Sequence, residues 1–158
     1  MKKIIWAVWL CASAAIAADA PVKVELNPTV GNSARGALTL SETSDGVTVQ
    51  GTLENLTPGQ HGFHLHENAE CAGNAEGAGG HYNPTGKPHG SPDADHHQGD
   101  LGNVMADNSG RAKVDAKVKG ATLATLKGRA VIVHEKRDDL RSQPSGDAGG
   151  RVACGAIR

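Results

Sequence analysis

The sequence predicts an all-β fold, a sandwich or flattened barrel of six to eight short antiparallel strands. Three observations lead there. Apolar and polar residues alternate with a period of two through several segments. Turn-forming residues punctuate those segments at short intervals. No segment carries a helical period, and 21 glycines in 158 residues weigh against long helices.

Taken in order, Val22, Val24 and Leu26 alternate with Lys23, Glu25 and Asn27, and Leu38 and Leu40 with Thr39 and Ser41. After the turn signal Asp45-Gly46, Val47, Val49 and Leu53 alternate with Thr48, Gln50, Thr52 and Glu54. Pro58-Gly59 leads into the run HGFHLH, and Asn108-Ser109-Gly110 precedes Val114, Ala116 and Val118, which interleave with charged residues. Apolar runs at 130–133 and 152–157 read as two further strands. Alternation of this kind marks strands with one buried and one wetted face.

The length suits one domain. A net charge of −1 excludes binding to nucleic acid through a strongly basic field, and 3% aromatic residues excludes a large aromatic-lined pocket. Residues 1–17 have the layout of a secretory leader: Lys2 and Lys3, an apolar run from position 4 to 10, then the small residues Ala15 and Ala17. Cleavage after Ala20 is the alternative. The apolar run is too short to span a membrane, so no stable membrane insertion is expected once the leader is removed. The remaining domain, 18–158, is expected in the periplasm. It keeps two cysteines, Cys71 and Cys154, which in an oxidising compartment most simply form one disulfide, two unpaired thiols being the alternative.

Residues 67–103 break the pattern. Among Val, Ile, Leu, Met and Phe, only Leu101 occurs there. Such a segment buries too little apolar surface to offset its ordering entropy, so it is either disordered or held by something other than a core. Four of the chain's eight histidines lie in it, which points to metal.

His64 and His66 stand two apart on a predicted strand, so both imidazoles leave the same face while Phe63 and Leu65 enter the core. Alone, the pair would read equally well as two solvated side chains. His81, His89, His97 and Asp100 follow in the loop, and three imidazoles with a carboxylate suit a closed tetrahedral zinc site. His134 ends the strand at 130–133 and can join His64 and His66 in an imidazole-rich set that suits Cu(II). If the sites adjoin, one histidine must serve both, and His81 is the natural choice. His61 shares the inward parity of Phe63 and reads as a hydrogen-bonded structural residue. His96 reads as exposed, although it is the rival of His97.

The stretches HGFHLHENAEC (61–71), GGHYNP (79–84), HHQGDLGNV (96–104), VIVHEKRDDL (131–140) and GGRVACGAI (149–157) resemble the copper–zinc superoxide dismutases. They occur in that family's order and span nearly the whole domain. The resemblance implies a Greek-key β-barrel of about eight antiparallel strands with long metal-binding and charged loops. It implies dismutation of superoxide to oxygen and hydrogen peroxide by one redox-cycling copper and one structural zinc per subunit. Copper would be held by His64, His66, His81 and His134, and zinc by His81, His89, His97 and Asp100, with His81 as the bridge and the proton carrier. Asp138 would link His64 to His89, Arg151 would receive the anion, and Cys71–Cys154 would be the family's disulfide. Lys136, Arg137 and Arg141 lie in the approach loop and could steer superoxide.

The chain departs from the family in three places. The loop from His134 to Arg151 is shorter than in the eukaryotic enzymes, the spacing from His89 to His97 is one residue short of the commonest, and the chain stops just after the last strand. A homodimer is allowed but not implied. A periplasmic copper-binding or buffering protein on the same barrel is the main rival. A zinc hydrolase would need a general base for which no carboxylate is left over, and a purely structural zinc protein leaves His64, His66 and His134 unexplained.

Overall fold

The computed structural model describes residues 20–158. The expected leader lies outside them. Eight strands, β1 (Val22–Pro28), β2 (Arg35–Thr43), β3 (Gly46–Glu54), β4 (Gly59–His66), β5 (Asp100–Ala106), β6 (Ala112–Lys119), β7 (Ala130–His134) and β8 (Arg151–Ala156), close into a barrel. The order around it is β1-β2-β3-β6-β5-β4-β7-β8, with every pairing antiparallel. The all-β reading therefore holds, and β8 returning to β1 through Asn27↔Cys154 removes the free edge.

The period-two pattern decides what fills the barrel. Val24, Leu26, Leu38, Leu40, Val47, Val49, Leu53, Val114 and Val118 are buried in one cluster with Phe63 and Leu65. Leu40 faces Val49 across the β2–β3 ladder, and Val47 faces Val118 across β3–β6, so cross-strand pairs knit the interior. A helix of four residues, α1 (Leu123–Leu126), adds Leu123 and Leu126 to this core. Thr122 caps it, accepting from the Thr125 N–H while Thr125 Oγ1 accepts from the Thr122 N–H. A helix this short has no period to show in the sequence. Among the described residues no helix is long and apolar enough to cross a membrane.

A second, smaller cluster lies outside the barrel wall. Ala130 and Ile132 of β7 face outward and pack with Ala75, Ala78 and Cys154. Cys154 is bonded to Cys71, 83 residues away, so the disulfide pins the start of the loop at 67–99 onto the last strand. This loop contains one short 3-10 turn, Glu76–Ala78, and ends where β5 begins at Asp100. The polar segment is thus four residues shorter than 67–103, because Asp100, Leu101, Gly102 and Asn103 join the sheet.

Backbone contacts hold the rest of the loop against β4. Leu65 donates to the Gly99 carbonyl, Tyr82 to that of Leu65 and Gly99 to that of Tyr82, each at 2.8 Å. Only glycine fits here, since a Cβ on residue 99 would lie 2.4 Å from the Leu65 carbonyl oxygen. His66 and His81 also pair as an isolated bridge.

Closing an 83-residue loop by a disulfide is worth ~4.5 kcal/mol in the chain-entropy model. Reduction of Cys71–Cys154 in the metal-free protein is therefore expected to lower unfolding free energy by up to about that amount. Urea unfolding of the oxidised and reduced forms measures it.

Candidate metal centre

β4 delivers His64 and His66 to the outer face of the barrel, β7 ends in His134, and the polar loop supplies His81, His89 and His97 beside Asp100 at the start of β5. All seven are buried. The structure gathers them into two groups, His64, His66, His81 and His134, and His81, His89, His97 and Asp100, with the ligand atoms of each group within 4.8 Å of one another. His81 belongs to both. These groups are the same two sets of residues that the sequence singles out.

The hydrogen bonds on the far side of each ring decide which nitrogen faces inward. His64 Nε2 donates to Asp138 Oδ2 at 2.8 Å, leaving Nδ1 without a partner. His66 Nδ1 donates to the Gly79 carbonyl at 2.9 Å, and His134 Nδ1 to that of Gly149 at 3.1 Å. Their Nε2 atoms therefore both carry lone pairs, and they lie 3.4 Å apart. His81 Nε2 is also buried without a partner. Four imidazoles thus aim acceptors at a common space that no protein donor fills.

The second group turns on one oxygen. Asp100 Oδ2 accepts from the backbone N–H groups of Gly90 and His97 at 3.1 and 3.0 Å. Oδ1 lies 2.7 Å from His81 Nδ1, 3.1 Å from His89 Nδ1 and 3.2 Å from His97 Nδ1. The contact from His89 is not aligned as a hydrogen bond, and that nitrogen counts as unsatisfied. Its other nitrogen, Nε2, donates to Asp138 Oδ1 at 3.0 Å.

A divalent cation fits both groups. Buried polar atoms rarely lack partners, yet His64 Nδ1 and His81 Nε2 in the first group and His89 Nδ1 in the second do. Imidazole with one carboxylate suits zinc, and imidazole alone suits copper.

Burial holds His64 near 4, His66 near 2 and His134 near 3, so all three are neutral at pH 7. The Asp138 bond opposes burial at His64, and the Gly79 and Gly149 carbonyls oppose it at His66 and His134. At His89 burial again favours the neutral ring, but the adjacent carboxylates of Asp100 and Asp138 outweigh it and raise the group to about 9. Burial works against the ionised forms of Asp100 and Asp138, yet their histidine partners hold both well below the usual carboxylate range.

The remaining expected residues fall as follows. Asp138 is fully buried between His64 and His89. Arg151 is half-buried, donating through one terminal nitrogen to the Ala75 carbonyl and through the other to that of Gly79 at 2.6 Å, the same oxygen that receives His66. His61 is buried outside both groups, its Nδ1 2.8 Å from the His134 carbonyl and its Nε2 2.8 Å from that of Thr57. His96 bonds only to the Ala94 carbonyl, and His97 takes the place it rivalled. Lys136, Arg137 and Arg141 are exposed.

Sequence reasoning missed two side chains. Asn103 on β5 donates to the Asp138 carbonyl at 2.9 Å and accepts from the Asp138 N–H at 2.8 Å, which fixes that backbone. Gln143 does the same for His89. Only the position of Asn103 beside the Asp100 motif could have drawn attention to it.

The model of the copper/zinc superoxide dismutase family matches residues 34–157. The chain is 44% identical over 134 residues to superoxide dismutase [Cu-Zn] A of Xenopus laevis, covering 78% of this chain and 88% of that one. It is 42% identical over 137 residues to superoxide dismutase [Cu-Zn] 2 of Mesembryanthemum crystallinum, covering 80% and 88%. Among solved structures it resembles the Cu/Zn superoxide dismutase of Brucella abortus, with a TM-score of 0.78 at 33% identity over 88% of this chain and 100% of that one.

The different proton affinities of the two groups give an expected signature. Below pH 9 the metal-free protein carries a proton on His89 that zinc must displace, whereas His64, His66 and His134 have none to lose above about pH 4. At pH 7.5, zinc uptake should release about one proton more than copper uptake. Calorimetry in buffers of different ionisation enthalpy measures this, and equal proton release for both metals would contradict it.

Proposed function

The chain belongs to the copper/zinc superoxide dismutase family, and on that premise we propose which residues carry its reaction. The reaction is dismutation of superoxide to oxygen and hydrogen peroxide, with one copper and one zinc per subunit. In our reading His64, His66, His81 and His134 hold copper, and His81, His89, His97 and Asp100 hold zinc. The observation that carries this assignment is the set of buried ring nitrogens without protein partners on His64, His81 and His89, each ring bonded to a carboxylate through its other nitrogen.

Copper supplies the one-electron redox chemistry when bound, and zinc supplies a fixed positive charge on the shared ring. The chain's own groups do the rest. Asp138, Gly79 and Gly149 hold three imidazoles in the orientation that presents a lone pair. His81 Nε2, buried and without a protein partner, is the atom at which a proton can be taken up and handed to reduced oxygen. Arg151 is held in plane by two carbonyls, so its remaining N–H groups and its charge are preorganised for a small anion. Burial lowers the pKa of Arg151, and the charge of Glu76 opposes that shift. Lys136, Arg137 and Arg141, exposed on the same approach loop, add positive charge for steering.

We also read residues 1–17 as a leader removed on export, leaving 18–158 as the domain in the periplasm. The leader-like composition and the Cys71–Cys154 bond, which persists in oxidising compartments, support this. A copper-buffering protein on the same barrel would need neither the shared His81 nor the fixed Arg151.

The test is superoxide turnover by the mature protein loaded with both metals, beside His134→Ala. Copper-dependent turnover should fall by more than about 100-fold, since losing a ligand exceeds the loss typical of an outer partner, while zinc stays bound. Copper bound without turnover in the parent protein would contradict the reading and leave a binding protein. Arg151→Gln should lower kcat/KM about tenfold and flatten its decline with ionic strength. An unchanged salt response would remove Arg151 from the anion's path.

A further inference from the structure

His89 is gripped from outside its own loop. Its ring donates through Nε2 to Asp138. Its backbone is held by Gln143, whose Oε1 accepts from the His89 N–H at 2.9 Å and whose Nε2 donates to the His89 carbonyl at 2.9 Å. The same Nε2 donates to the Arg141 carbonyl at 3.1 Å, which ties the amide to its own segment. The backbone partners fix which end of the amide is oxygen, because the N–H needs an acceptor and the carbonyl a donor.

The segment carrying Gln143 is itself folded around Asp138. Gly146 donates to the Ser142 carbonyl at 2.7 Å and Asp139 to that of Gly146 at 2.9 Å. Gly146 sits at φ +70°, and a Cβ there would lie 1.9 Å from Asp138 Oδ1 and 2.7 Å from His89 Nε2. The loop therefore closes directly over the bond between Asp138 and His89. One short segment holds His89 at both ends, ring and backbone, and leaves Nδ1 as the only free polar atom of the residue.

We propose that Gln143 is a positioning residue for zinc, holding the backbone of His89 while Asp138 holds its ring. This rests on the reading of His89 as a zinc ligand. Copper is not expected to respond, since His64, His66 and His134 are fixed by Asp138, Gly79 and Gly149 and make no bond to Gln143. The carboxamide is suited to the task because it matches a peptide group donor for acceptor, as a neighbouring strand would.

The experiment compares the mature holoprotein with Gln143→Met, which removes both bonds at similar length, and Gln143→Glu, which keeps only an acceptor for the His89 N–H. Transfer of zinc to a chromophoric chelator and transfer of copper to a copper chelator are followed separately. Zinc affinity should fall roughly tenfold or more in Gln143→Met and less in Gln143→Glu, with copper affinity within about twofold of the parent. The visible spectrum of Co2+ placed in the zinc group of metal-free protein should shift in Gln143→Met and recover partly in Gln143→Glu. Unchanged zinc affinity and spectrum, or equal loss of both metals, would overturn the proposal. A parent protein that binds no zinc would overturn the reading of the site itself.

Discussion

The carboxylate of Asp138 is the contact on which the rest of the centre depends. It is wholly buried, with one oxygen on His64 and the other on His89. Each of those rings belongs to a different metal group, so one side chain sets the tautomer in both. A buried carboxylate is costly unless its oxygens are paired, and here the pairing is complete, since Oδ1 also accepts from the Leu140 N–H at 2.6 Å. Leu140 reaches it by adopting a left-handed conformation, φ +63°. Asn103 clamps the Asp138 backbone from β5, which connects the barrel wall to the carboxylate.

A division of labour follows between core and loops. The barrel is stabilised by aliphatic pairs across its ladders. The loops have no comparable apolar content. They are held by the disulfide, by backbone bonds to Leu65, and by amide side chains that mimic peptide groups. What those contacts leave undone is the pairing of the inward-facing ring nitrogens. The buried lone pairs would be destabilising on their own, and a bound cation converts that cost into affinity.

Much of this was legible in the sequence because it follows simple periods. Alternation at Val22–Leu26, Leu38–Leu40 and Val114–Val118 places the strands. The same parity separates Phe63 and Leu65, which enter the core, from His64 and His66, which leave it. The polar run after β4 announces a loop organised by something other than a core, and its histidines name the organiser. The motif resemblance adds the roles of Asp138 and Arg151, which spacing alone does not reveal. Asn103 and Gln143 were not legible because an amide that pairs with a distant backbone leaves no local pattern. β5 (Asp100–Ala106) was not read as a strand, because its first four residues fall in the polar segment by composition while their backbone already belongs to the sheet.

The most direct test is anomalous diffraction from crystals of the loaded protein, recorded at the copper and the zinc absorption edges. The expected result is copper among His64 Nδ1, His66 Nε2, His81 Nε2 and His134 Nε2, zinc among His81, His89, His97 and Asp100, and Asp138 still bonded to the Nε2 atoms of His64 and His89. Copper bound through the Nε2 of His64, or zinc held without His89, would contradict the assignment of tautomers on which the centre is built.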